Sequence, residues 1–192
     1  MISRALVAFL FAVVTLAGCS SSEPDAKSKK PSSSSTSVAA PAEGDTVTTD
    51  DYTYSLPKGW EEPRGETPGF DFHSVATDVG DKDGFADNIN VIRVGEAPSD
   101  DLGQFEDESV KELTRLGAKE IEVLPPESID DAKSIHITAR TSFNDVEYRT
   151  NQYGVVHDDI VFIVTFSFSV DVTPEEQSDT IESVLATWKW AA

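Results

Sequence analysis

The sequence predicts an α+β fold: a mostly antiparallel β-sheet with helices packed on its faces. Three observations carry this. Residues 133–142, 147–156 and 160–170 are long β-like runs separated only by hairpin-length turns at Asn144-Asp145 and His157-Asp158-Asp159. In the last run Ile160, Phe162, Val164, Phe166 and Phe168 point one way while Val161 and Ile163 point the other, as expected of a central strand covered on both sides. Two further stretches carry apolar residues at helical spacing, and a sheet with two such helices closes as a layered sandwich.

The elements follow in order. Tyr52-Thr53-Tyr54-Ser55-Leu56 alternates and ends at Pro57-Lys58-Gly59-Trp60, a strand closed by a turn. Residues 70–75 and 88–94 form the second and third strands, joined by an acidic, glycine-containing connection over 78–87. A helix begins near Asp101, whose spacing to Gln104 resembles a capping box. Leu102, Phe105, Ser109, Val110, Leu113 and Leu116 make its apolar stripe, and Gly117 supplies a left-handed stop. Residues 119–124 read as a short strand broken by Pro125-Pro126. Residues 133–142 then alternate, with Ile135, Ile137 and Ala139 against His136, Thr138 and Arg140. The last helix is the best signalled. Thr173 is its N-cap, Pro174 its first residue, and Glu176 completes a capping box. Ile181, Val184, Leu185 and Trp188 form its buried stripe.

The amino-terminal quarter is of a different kind. Arg4 precedes an apolar or small-residue run over residues 5–18, too short for the roughly 20 residues of a spanning helix and matched to a signal-peptide core. Leu16-Ala17-Gly18-Cys19 has the form of a bacterial lipobox, and Cys19 is the single cysteine of the chain. Residues 1–18 are therefore expected to be a lipoprotein signal peptide. Cys19 is expected to carry a diacylglycerol thioether that holds the mature protein on the extracytoplasmic face of the cell membrane. Residues 19–49 read as the lipidated cysteine and a disordered tether, because Ser20 to Thr49 is rich in Ser and Thr and lacks Leu, Ile, Phe, Tyr and Trp. Such a coil spans about 30 Å. Residues 50–192 are one domain, long enough to build a core without disulfides or metal.

The formal charge of −20 is concentrated in that domain, since Arg4 belongs to the signal peptide and the tether's acids are nearly balanced by Lys27, Lys29 and Lys30. Nucleic acid is excluded as a partner on electrostatic grounds. Anionic headgroups repel the same surface. The tether outreaches the Debye length of about 8 Å at physiological salt, so the domain can stand clear of the bilayer while its anchor stays in it.

The order of elements, the opening Tyr54-Ser55-Leu56-Pro57-Lys58-Gly59-Trp60, the strand Asn88-Ile89-Asn90-Val91 and the long hairpin before an amphipathic helix together resemble the LpqN/LpqT family of actinobacterial lipoproteins. That family is related in fold to the photosystem II extrinsic protein PsbP and to the Ran-binding Mog proteins. The resemblance spans roughly residues 50–190. It implies an α/β/α sandwich in a lipid-anchored envelope protein, with an accessory or binding role, and it brings no catalytic residues.

Several features invite a chemical role and have a plainer reading beside it. The acidic connection contains Asp81, Asp83 and a following Gly84, as a calcium loop does, but Val79 occupies the template's first position and no closing Glu is present, so a solvated turn is the better reading. His73, His136 and His157 share no metal-ligand spacing. His136 faces either solvent or the sheet–helix layer, and His157 belongs to a turn. Ser55 and Lys58 match a serine–lysine spacing that Pro57 prevents from being helical. Of the tryptophans, Trp188 is expected in the core, Trp60 under a turn at the sheet edge, and Trp190 partly exposed. No catalytic residue, metal or cofactor is assigned. The expected function is a non-enzymatic envelope binding module for a protein partner or for envelope assembly. The alternative is a carrier or sensor of an envelope lipid or glycolipid, held in a pocket between the sheet and one of the helices.

Overall fold

The structure, a computed structural model, describes residues 39–64, 71–82, 84–97 and 102–191. Ten strands and two helices occur among them: β1 Thr46–Thr48, β2 Tyr52–Ser55, β3 Trp60–Glu61, β4 Ser74–Asp78, β5 Asn88–Glu96, α1 Leu102–Arg115, β6 Lys119–Ile129, β7 Ala132–Phe143, β8 Val146–His157, β9 Ile160–Ser169, α2 Pro174–Leu185 and β10 Lys189–Trp190. Seven strands form one sheet in the order β3-β4-β5-β9-β8-β7-β6, and three form a second in the order β1-β2-β10. Every pairing is antiparallel. The α+β fold with a mostly antiparallel sheet and helices on its faces is therefore the observed one.

β9 sits in the middle of the large sheet, as its two apolar faces require. Three tight turns set the register of β6 to β9. Asp130-Asp131, Asn144-Asp145 and Asp158-Asp159 all have positive φ, between 47° and 68°, and close Ile129 on Ala132, Phe143 on Val146 and His157 on Ile160. Two central residues with positive φ define the hairpin turn that matches strand twist, and Asp and Asn tolerate that conformation best after glycine. Part of the chain's acidity is thus turn chemistry.

The two faces of the large sheet bury different cores. On one face α1 lays Leu113, with Leu102, Phe105 and Val110, against Ile135, Ile137 and Ala139 of β7. The contact is close: a Cβ on Gly154 would stand 2.1 Å from Phe105 Cε1, so glycine is what admits the ring. On the other face α2 and the small sheet cover Ile89, Val91, Tyr153, Val155, Phe162, Val164, Phe166 and Phe168. Trp188 stacks there on both Tyr54, at 4.8 Å and 2°, and Tyr52, at 4.6 Å and 27°, which adjoin each other at 6.0 Å. With helices on opposite faces, the layers run α/β/α.

Several expectations need correction. β1 draws Thr46–Thr48 out of the supposed tether, with Val47 buried, because Gly44 and Asp45 pair with the end of β2 through Leu56. The second strand begins at Ser74 and runs to Asp78. β6 passes through Pro125 and Pro126 to Ile129 with a register shift between Leu124 and Glu127; it is an edge strand, where missing N–H donors cost nothing. Leu116 is exposed, one residue past α1, and Gly117 takes φ +83 as expected. Trp188 lies beyond the end of α2, buried in the turn that leads to β10. Cys19, Phe70, Asp83 and Asp101 lie outside the described residues.

Candidate functional site

The register of β7 on β8 sets His136 opposite Tyr153, Thr138 opposite Asn151 and Arg140 opposite Arg149. Residues directly opposite in an antiparallel pair share a face, and this is the face that carries α2. On β6, Leu124 and Glu122 oppose His136 and Thr138 and extend the same floor toward the sheet edge. α2 forms the roof with Pro174, Gln177, Ser178, Ile181 and Glu182, one stripe at helical spacing. Between floor and roof is a cleft of about 450 Å³, the size range of small-ligand sites.

The roof is fixed by its ends. β9 closes opposite Tyr148, and the chain turns back through Val172, so α2 starts at the arginine end of the floor. Its first turn is locked by the predicted box: Thr173 Oγ1 accepts from Glu176 N at 3.3 Å, and Thr173 N donates to Glu176 Oε2 at 2.9 Å. Thr173 Oγ1 also donates to Glu176 Oε2 at 2.7 Å, and this bond, then the one from Thr173 N, holds the Glu176 carboxyl below the usual carboxylate range.

A polar row crosses the middle of the cleft. His136 Nε2 lies 3.2 Å from Asn151 Oδ1, Asn151 Nδ2 donates to Gln177 Oε1 at 3.3 Å, and Gln177 Nε2 donates to Val172 O at 2.9 Å. His136, Asn151 and Gln177 are all buried. The amide orientations fit Nε2 as the donor nitrogen of His136. Its Nδ1 lies 3.3 Å from Glu127 Oε1, within ion-pair reach but off the line of a hydrogen bond. The imidazole stacks on Tyr153 at 4.1 Å. Burial, and then the charges of Glu127 and Glu182, push the Tyr153 phenol well above its ordinary value, so it stays protonated.

The two ends of the cleft differ in charge: the arginines stand at one end only. At the α2 amino-terminal end, Arg140 is neutralised by Glu147 at 2.5 Å and Glu120 at 3.4 Å. Arg149 beside it has no ion pair among the described residues, and its Nε is buried without a hydrogen-bond partner. At the other end stand Glu127 and Glu182, with Glu122 along the wall.

A smaller hollow of about 210 Å³ lies by Asp50, Asp51, His157, Asp158 and Phe162. Its neighbours form a polar chain that ties the two sheets together. Asp51 Oδ2 lies 3.2 Å from Arg93 Nε and 3.3 Å from His73 Nε2; His73 Nδ1 is 3.0 Å from Tyr52 OH, which is 2.8 Å from Ser74 Oγ. The Tyr52 and Tyr54 phenols are both raised, chiefly by burial.

The structure separates the residues singled out in the sequence. His73, His136 and His157 lie in three different settings: the inter-sheet chain, the cleft, and the end of β8 against Trp190 at 4.6 Å. His136 thus faces the sheet–helix layer. His157 is the last residue of its strand rather than part of the turn. In the acidic connection, Asp78 Oδ1 accepts Gly80 N at 2.8 Å and Asp87 Oδ1 accepts Ser169 N at 2.7 Å, so these carboxylates shape the turn and clamp the end of β9. No group of three His, Cys, Asp or Glu able to hold a metal occurs among the described residues. Lys58 pairs with Glu43 at 2.6 Å. Trp60 is buried on the edge strand β3 and Trp190 is half-buried. Asn151, Gln177, Tyr153, Arg140 and Arg149 were not singled out. Gln177 held the readable signal: it stands four residues before Ile181, a polar side chain on the buried stripe of α2.

Compared as a sequence, the chain matches no family model and no curated protein. Compared as a structure, it is similar to a crystal structure from Bacteroides thetaiotaomicron VPI-5482, with a TM-score of 0.51 and 13% identity over 78% of this chain. This chain spans 49% of that protein's length. It is also similar to cyanobacterial PsbP (CyanoP) from Synechocystis sp. PCC 6803, with a TM-score of 0.49, 16% identity, and coverage of 84% of this chain and 98% of that one. These likenesses concern the fold. Among the described residues no helix is long and apolar enough to cross a membrane.

Proposed function

We propose that the chain is a lipid-anchored protein of the cell envelope, of the LpqN/LpqT kind with a PsbP/Mog-like fold, whose domain is a non-enzymatic binding module with its ligand site in the cleft beneath α2. One observation carries the ligand reading: a cleft of about 450 Å³ floored by buried His136 and Asn151 and roofed by buried Gln177. Buried polar side chains cost stability unless satisfied, and these hold one another in fixed orientation with hydrogen-bonding capacity to spare. Asn151 uses one N–H of two, and Gln177 Oε1 one lone pair of two. His136 is held through Nε2 by Asn151, while its buried Nδ1 has no hydrogen-bond partner among the described residues.

The lining favours a small polar molecule or a polar headgroup over an acyl chain, so the ligand reading takes precedence over a purely protein-docking role. Native mass spectrometry of the protein purified from envelope in mild detergent tests it. A polar molecule should co-purify and be lost in Asn151→Leu; retention of the same molecule in that variant overturns the assignment to this cleft. The anchor rests on the Leu16-Ala17-Gly18-Cys19 pattern. Cys19→Ser, or treatment with globomycin, should leave an unprocessed precursor, and continued appearance of the mature, detergent-partitioning form refutes lipidation.

A further inference from the structure

We infer that the cleft beneath α2 takes a short peptide with free termini, its carboxylate on Arg149 and its ammonium among Glu127 and Glu182. This rests on the cleft being the ligand site and adds the class of ligand.

Arg140 and Arg149 stand directly opposite each other on β7 and β8. Like charges at such a position destabilise a sheet. The chain has only 15 Lys and Arg against 35 Asp and Glu, yet it places two arginines side by side at the cleft's end. Glu120 and Glu147 neutralise Arg140 alone. Arg149, like Arg140, keeps a buried Nε with no hydrogen-bond partner among the described residues, and an unsatisfied buried donor is costly. A carboxylate bound side-on to the Arg149 guanidinium satisfies that N–H and supplies the counter-charge that Arg140 already has and Arg149 lacks. The amino-terminal end of α2, at Pro174, opens on the same corner, and the Glu176 carboxylate is turned back onto Thr173.

The far end is acidic. Glu127 and Glu182 line the cleft with Tyr153, whose phenol is kept protonated by burial first and by their charges second. A carboxylate pair beside a protonated phenol is a receptor for a donor group, and an ammonium is the strongest such group. Between the ends lie Asn151 and Gln177, whose amides have one donor and one acceptor position unspent; these match the C=O and N–H of a peptide bond. The spacing agrees. From Arg149 to Tyr153, which marks the acidic end, is four strand residues, about 13 Å. An extended tripeptide spans about 10 Å between its terminal groups.

The test is calorimetric titration of the full-length protein in detergent with trialanine, its N-acetyl form and its C-terminal amide. Free trialanine should bind saturably with a submillimolar Kd. Amidation should weaken binding at least tenfold in the wild type and leave affinity unchanged in Arg149→Gln, which has already lost the partner. Acetylation should do the same with respect to Glu127→Gln with Glu182→Gln. Arg115→Gln, on exposed α1, is the control and should bind as the wild type. In the unaltered protein the Arg149 Nε–H resonance should shift on saturation, a readout that needs no variant. Equal binding of the free and blocked peptides, wild-type affinity in Arg149→Gln, or no binding of trialanine overturns the inference. Failure of trialanine alongside a co-purifying polar molecule that depends on Asn151 overturns only the peptide assignment. Failure of both overturns the cleft as a ligand site.

Discussion

One face of one sheet carries two very different interiors. Toward β5 and β9 it is roofed by the small sheet and filled with stacked rings: Tyr52, Tyr54, Phe162 and Trp188, all essentially inaccessible. Toward β7 and β6 the same face is roofed by α2 and left partly open over His136, Asn151 and Arg149. The strands are continuous across the two. β8 contributes Val155 to the packed half and Asn151 and Arg149 to the open one. Burial alone does not separate the halves, since His136, Asn151 and Gln177 are also buried. The difference lies in what holds them. Area and dispersion hold the aromatic half, whereas directional hydrogen bonds hold the polar half and leave it unfilled.

That contrast sets an order of effects. The largest should come from the aromatic half. Trp188→Ala removes the ring that packs on two tyrosines and should cost about 3–5 kcal/mol in urea unfolding. A loss below about 1 kcal/mol would show that the stack is incidental. In the polar half, Asn151→Leu strands His136 Nε2 and Gln177 Oε1 and should cost about 1–3 kcal/mol. An increase in stability instead would mean that water already satisfies the row. The smallest effect lies where the halves join. Asp130, in the β6–β7 turn, accepts from Lys189 Nζ and from Trp190 N at 3.0 Å, and Trp190 Nε1 donates to Ile129 O at 2.8 Å. The Lys189 hydrogen bond, then the Trp190 backbone, hold the Asp130 carboxyl below its usual range. A depressed folded pKa gives stabilisation that is full above the unfolded value, near pH 4, and is lost as pH falls through the folded pKa. Asp130→Asn should therefore cost about 1 kcal/mol at pH 7, and its difference from wild type should shrink in acid below pH 4. A difference independent of pH would assign the effect to shape rather than charge.

The aromatic half was more legible than the polar one. The apolar phase of β9 placed Phe162, Phe166 and Phe168 on one face without any structure. Thr173, Pro174 and Glu176 marked the start of α2 to the residue. The small sheet was not legible, because strands as short as Thr46–Thr48 and Lys189–Trp190 carry no period of their own and exist only by pairing with β2. β6 was cut short for a related reason: whether a proline breaks a strand depends on whether its edge is free, which is a property of the sheet. In the cleft, His136 was noticed with its direction unsettled, and Arg140 was read only as a polar position of its strand.

By itself the sequence determined the class of fold, the central position of β9, the start of the last helix and the lipobox that predicts an anchor at Cys19. Each of these is local, set by period, capping or a short motif within one stretch of chain. Only the tertiary structure decided that Arg140 stands beside Arg149, that Asn151 meets Gln177, and that the space between them is left open. The first depends on the register of two strands joined by the Asn144-Asp145 turn. The second depends on a helix that returns over the sheet from 26 residues away. Alternation shows which side chains share a face, but not what comes to lie against them, because the opposing surface is supplied by distant parts of the chain.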